Sequence, residues 1–228
     1  MAGVGAKAMM VTGQAGPAML AAYGKAADAR EPAKKKGPEA ETLDQLKKDM
    51  KAGRKTAIGD AKGRARERMQ QVIEKLKMIR KLYAEDPKGM AKALAAVAKE
   101  LQGAVKAYAK AAKDAGEMFA QDFAAAPDAS LPPDGQAAAR KDLEDQARAE
   151  ADGDMDFIKN VRSLSNALRD DLQTAKTKGI LTQPGKFERS DEVKDAEDGL
   201  KELDQMTEDL DRQVRRDMPP GSLMKVAA

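Results

Sequence analysis

The chain has 228 residues, 35% of them charged and only 3% aromatic, and it contains neither cysteine nor histidine. Disulfides, thiolate metal sites and every Ser-His or Cys-His mechanism are therefore excluded, together with the commonest general base and the commonest metal ligand. The formal charge of +3 conceals a split: 25 Lys and Arg against 14 Asp and Glu over residues 1–120, and 16 against 24 over 121–228. That split points either to halves that fold against each other or to a basic half that meets an anionic partner.

Residues 1–40 are rich in Ala, Gly, Met, Lys and Pro without a sustained period and end in the basic run Lys34-Lys35-Lys36. They read as a disordered basic tail. Gly13, Gly16 and Pro17 interrupt any apolar core of a signal peptide, and no run approaches the length of a membrane span. A cytoplasmic location follows as the expectation. Helical order is expected from Thr42, which with Gln45 makes a capping-box pattern ahead of Leu43, Leu46 and Met50. Gly53, Gly59 and Gly63 then predict a break, since each glycine costs a helix interior about 1 kcal/mol relative to Ala.

Beyond that break, Met69, Val72, Leu76, Ile79 and Tyr83 recur at three- and four-residue steps, with Ile73 and Leu82 widening the stripe. This is the seam of an amphipathic helix. Asp86 is suited to an N-cap and Pro87 to the first helical position, so one helix ends and another begins at Asp86-Pro87-Lys88-Gly89. The next seam contains Leu94, Val97 and Leu101, and the short connection makes the two helices an antiparallel hairpin over 41–125.

A Pro/Gly-rich linker over 126–135 separates this basic hairpin from an acidic one over 136–218, and a flexible tail is expected over 219–228. The second hairpin opens with a polar helix that is expected to break at Asp152-Gly153, with Asp154 capping the helix that carries Val161, Leu164 and Leu168. Gly179 is expected to end it, and Gln183-Pro184-Gly185 to turn the chain. Ser190 caps a last helix whose seam includes Leu200, Leu203 and Leu210. Strand patterning is absent. The fold class is all-α: two amphipathic hairpins forming an antiparallel bundle or a coiled-coil-like pair.

Chemistry-bearing motifs are weak. Asp152-Gly153-Asp154-Met155-Asp156 resembles the opening of a calcium loop, but Phe157 stands where glycine makes the sharp turn and Ser163 where a bidentate Glu is needed. Gly53-Arg54-Lys55-Thr56 resembles the end of a phosphate-binding loop, yet Met50 holds the place of its first glycine and no strand precedes it. No catalytic residue, cofactor site or metal site is assigned.

Thirteen bases stand against four acids between Lys47 and Lys81. The partner-binding face is assigned to Lys47, Lys48, Lys51, Arg54, Lys55, Arg64, Arg68, Lys75, Lys77, Arg80 and Lys81. The leading expectation is a non-enzymatic protein-interaction module, an adaptor, scaffold or self-assembling component, that works through helix faces and charge complementarity with an acidic surface. The alternative is an anionic-surface binder on membrane or nucleic acid, disfavoured because the basic run has no aromatic before Tyr83 and no Trp or Phe on its apolar face. A second alternative, a secretion-associated chaperone or export substrate, rests on compositional likeness. The methionines on or near the seams, including Met69, Met78, Met90 and Met206, read as core filler.

Overall fold

The computed structural model describes residues 38–125, 131–182 and 184–217. Of the basic tail expected over 1–40, residues 1–37 lie outside the described residues and 38–40 are helical; half of the expected linker, 126–130, and the tail after Asp217 also lie outside them, and helix begins again inside that linker at Pro133. Four helices account for nearly all the rest: α1 (Pro38–Leu82), α2 (Pro87–Ala124), α3 (Pro133–Thr182) and α4 (Asp191–Asp217). The chain divides into two compact units, Met1–Asp49 and Met50–Ala228. In the first unit the described residues are helical, and Gln45 Nε2 donates to Asp49 Oδ1 one turn on at 3.1 Å. The second unit is the bundle.

Cross-helix pairs give the bundle's topology. Arg54, Arg66 and Lys75 of α1 meet Glu117, Tyr108 and Glu100 of α2, so these helices run antiparallel. Arg162 and Lys176 of α3 meet Asp211 and Glu197 of α4, also antiparallel. Two parallel pairings join the hairpins: Lys62 and Arg80 of α1 with Glu150 and Asp171 of α3, and Lys88 and Lys106 of α2 with Glu192 and Glu202 of α4. Among the described residues no ion pair or side-chain hydrogen bond joins α1 to α4. The central helices α2 and α3 therefore lie between the most basic helix and the most acidic one.

Periodicity explains the core. Met69, Val72, Leu76, Ile79, Leu94, Val97, Leu101, Val161, Leu164, Leu168, Leu200, Leu203 and Leu210 are all buried in one cluster, with Tyr83 half-buried beyond the end of α1. Asp86 caps α2 by accepting the Gly89 N–H at 2.9 Å, and Pro87 occupies the first turn. Gly89 is required there, because a Cβ would lie 2.3 Å from Asp86 Oδ2 and 2.6 Å from the Tyr83 ring.

Several local expectations are overturned. Helix α1 begins at Pro38, ahead of the expected cap at Thr42, and runs without interruption through Gly53, Gly59 and Gly63. Continuity carries Ile58 into an apolar cluster with Ala115, Met118, Phe119 and Ala147, and brings Lys62 and Ala65 to buried positions. Burial of a large aliphatic side chain, about 1.5–3 kcal/mol, offsets most of what three glycines cost. Helix α3 likewise passes unbroken through Asp152-Gly153, and Asp154 is a buried residue of its interior instead of a cap. Gly179 does not end α3. It faces Phe187, whose ring would lie 2.3 Å from an added Cβ, so glycine lets the α3–α4 loop close over the core. Leu82 and Met78 are exposed at 75% and 55% and belong to neither seam nor core. The helix starting at Asp191 agrees with the expected boundary at Ser190, whose carbonyl accepts the Lys194 N–H.

Candidate partner-binding surface

Helical phase sorts the basic residues of α1 into three environments. The first is the bundle interior. Lys62, only 3% exposed, donates to Asp154 Oδ1 at 2.5 Å and to Glu150 Oε1 at 2.7 Å. Tyr108 donates its hydroxyl to the same Asp154 oxygen at 2.8 Å and stacks face to face on Phe157 with ring centroids 3.7 Å apart. Arg66 completes the cluster, donating to Tyr108 Oη at 2.9 Å and to the Gly153 carbonyl at 3.1 Å. Burial pushes Asp154 above the ordinary carboxylate range, and the Lys62 ammonium and Tyr108 hydroxyl pull it back only in part. The Tyr108 hydroxyl is raised too, by burial and then by the adjoining Asp154. A phenol so held stays protonated and serves as a hydrogen-bond donor.

The second environment is the flank of α1, where bases assigned to the partner face are taken up within the fold. Lys51 pairs with Asp122 at 2.7 Å, Lys75 with Glu100 at 2.6 Å and Arg80 with Asp171 at 2.8 Å. Lys55 donates to Gln146 at 3.1 Å, Lys77 pairs with Glu74 on its own helix at 2.9 Å, and Arg54 meets Glu117 at 3.7 Å and Gln121 at 3.4 Å. Exposed pairs of this kind contribute about 0–1 kcal/mol each, so they set register more than stability.

The third environment holds bases without a partner. Arg64 and Arg68 are exposed, lie one turn apart on α1, and make no ion pair or side-chain hydrogen bond among the described residues. Lys47, Lys48 and Lys81 are likewise exposed without such a pair. Arg64 and Arg68 rim a groove of about 390 Å³ between α1 and α2. Ala57, Ala61 and Ala65 from α1 and Ala107 and Ala111 from α2 make its floor together with Ile58. Arg54, Lys110 and one acid, Asp114, complete its wall. Like charges at i, i+4 repel, so Arg64 and Arg68 side by side are mildly unfavourable until an anion lies between them. A second groove, about 410 Å³ between α3 and α4, differs in kind. Most of its wall charge is paired from within, Arg169 with Asp204 and Lys176 with Glu197, and Lys201 is its one base without an ion pair among the described residues.

The assigned face is thus divided by the fold. Arg54, Arg64 and Arg68 share one groove, whereas Lys51, Lys55, Lys75, Lys77 and Arg80 point at neighbours of their own chain. Lys110 was not assigned from sequence, because only the α1–α2 register places it opposite Arg64 and Arg68. Lys62 sits inside the basic run yet is buried, and the signal for it is the three- and four-residue spacing from Ile58 through Lys62 and Ala65 to Met69, all buried; Arg66 stays exposed and reaches Tyr108 only with its guanidinium.

No family model, curated protein or solved structure matches this chain. Among the described residues no three carboxylates are placed to hold a metal ion, and the calcium-like run 152–156 is plain α-helix. Nor is any described helix long and apolar enough to cross a membrane.

Proposed function

We propose that this protein is a non-enzymatic helical interaction module whose α1–α2 groove receives an acidic, helical protein segment. One observation carries the reading: three cations that the fold leaves without partners, Arg64, Arg68 and Lys110, meet over a shallow floor of alanines, while in the comparable α3–α4 groove two of the three cations, Arg169 and Lys176, are paired across it. Small floor residues let another backbone approach closely, and guanidinium groups at the rim match carboxylates two at a time.

A dye-labelled glutamate-rich helical peptide, titrated by anisotropy at low salt, tests the reading. Replacing Arg64, Arg68 and Lys110 together by Gln removes three exposed charge contacts, about 1–3 kcal/mol, and weakens binding roughly 5- to 150-fold. Equal affinity of wild type and triple variant contradicts the groove as the site. A nucleic-acid duplex or an anionic vesicle bound more tightly than the peptide, and lost in the triple variant, favours the anionic-surface reading instead.

A further inference from the structure

Helix α4 carries the most acidic surface among the described helices, with 11 Asp and Glu against five Lys and Arg. Its buried positions, Val193, Ala196, Leu200, Leu203, Thr207, Leu210 and Val214, define one side of the helix. Opposite them runs a second stripe at steps of three and four: Asp195, Asp198, Glu202, Gln205 and Asp209, all exposed. Asp195 and Asp198 have no ion-pair partner among the described residues, and Glu202 is held only by the exposed Lys106 at 3.7 Å. Lys194, Lys201 and Arg212 lie along one border of this stripe, and Arg212 pairs with Asp209 at its end at 3.1 Å, which leaves Asp195, Asp198 and Glu202 as its open part.

We infer that the partner of the α1–α2 groove is the α4 stripe of a second copy of this chain, in a head-to-tail contact. This rests on the groove being the binding surface. The dimensions agree. Arg54 to Arg68 along α1 and Asp195 to Asp209 along α4 each span 14 residues, so at 1.5 Å per residue both the groove rim and the acidic stripe are about 21 Å long. The charges also agree, with the unpartnered Arg64, Arg68 and Lys110 facing Asp195, Asp198 and the loosely held Glu202; Arg54 and Asp209 already pair within the chain, with Glu117 and Arg212. A molecule does not satisfy itself this way: among the described residues no pair joins its α4 to its α1, where Arg64 and Arg68 lie, and the stripe reaches α2 through Glu202 and Lys106. Groove and stripe are different surfaces, so the contact is heterologous and leaves a free groove at one end and a free stripe at the other. Growth past the dimer follows. The net charge of +3 is too small to hold copies apart. The stripe itself contains no apolar residue, so the contact is electrostatic, transient and salt-sensitive.

Sedimentation velocity of the full chain tests this directly. At low ionic strength the wild type forms concentration-dependent species beyond the dimer, and at high ionic strength it is monomeric. The groove variant (Arg64→Gln, Arg68→Gln, Lys110→Gln) and the stripe variant (Asp195→Asn, Asp198→Asn, Glu202→Gln) are each monomeric at low salt. Mixed in equal amounts they form a 1:1 dimer and nothing larger, since one retains the stripe and the other the groove. A wild type that stays monomeric at low salt overturns the inference, as does a mixture that stays monomeric or single variants that associate like wild type. A monomeric wild type that still binds the glutamate-rich peptide through the groove overturns the self-association alone; loss of both overturns the groove as well.

Discussion

Replacing Lys62 by Ala is expected to be the most damaging single change in the charged part of this bundle. Asp154, 6% exposed, would keep its Tyr108 hydrogen bond and lose the cation 2.5 Å away. Removing one partner of a buried ion pair costs about 3–5 kcal/mol, because the remaining charge is left uncompensated. For a domain of this size that corresponds to roughly 6–20 °C in Tm. The pH dependence has a definite sign. A carboxyl raised in the folded state penalises folding where it is ionised and ceases to do so below its unfolded pKa of about 4. Lys62 is the charge that lowers Asp154, so its removal raises Asp154 further, and the gap between wild type and variant narrows as pH falls from 7 towards 4. Urea unfolding followed by helical circular dichroism across that range measures both quantities. Replacing both residues by apolar ones of similar size, Lys62→Met with Asp154→Leu, is expected to restore most of the loss. A single variant that loses less than about 1 kcal/mol with no pH trend would refute the burial of this pair.

Three further outcomes are expected. Gly53→Ala with Gly59→Ala stabilises the fold by about 1–2 kcal/mol in thermal unfolding, since both positions are helical and an added Cβ meets nothing within 4 Å. Gly179→Ala destabilises by about 1–3 kcal/mol, because the Phe187 ring must leave its place to admit the methyl group. Asp211 responds to pH in the opposite sense to Asp154: burial raises it, but hydrogen bonds and charge from Arg162 and Arg215 outweigh burial and hold it below the usual range. Its contribution is present above the unfolded carboxylate pKa and is lost as pH falls through the lower folded value, so Asp211→Asn flattens the acid limb of the stability profile.

The two seams of the first hairpin and the Asp86-Pro87 boundary were legible because their causes are local: three-and-four spacing, a capping carboxylate and a proline at the first helical turn. The breaks expected at Gly53–Gly63 and Asp152-Gly153 were misread for a shared reason. Glycine's cost is local and visible in sequence, whereas the burial of Ile58, Lys62 and Asp154 that outweighs it depends on helices far along the chain. Phe187 gave no signal, since a lone aromatic in a loop has no periodic partners to announce it, and its seat exists only because Gly179 faces it. Charge asymmetry between the halves was plain, but its resolution was not. Helical phase and register decided that Arg80 meets Asp171 while Arg64 and Arg68 remain open beside Lys110.

The groove itself can be read most directly through its alanines. With ¹³C-methyl-labelled Ala in the full chain at high enough salt to keep it monomeric, addition of the glutamate-rich peptide is expected to shift the methyl resonances of Ala57, Ala61, Ala65, Ala107 and Ala111. The core methyls of Ala175 and Ala196 should stay where they are. Binding that leaves the five groove methyls unmoved, or moves others in their place, would contradict the α1–α2 groove as the working surface.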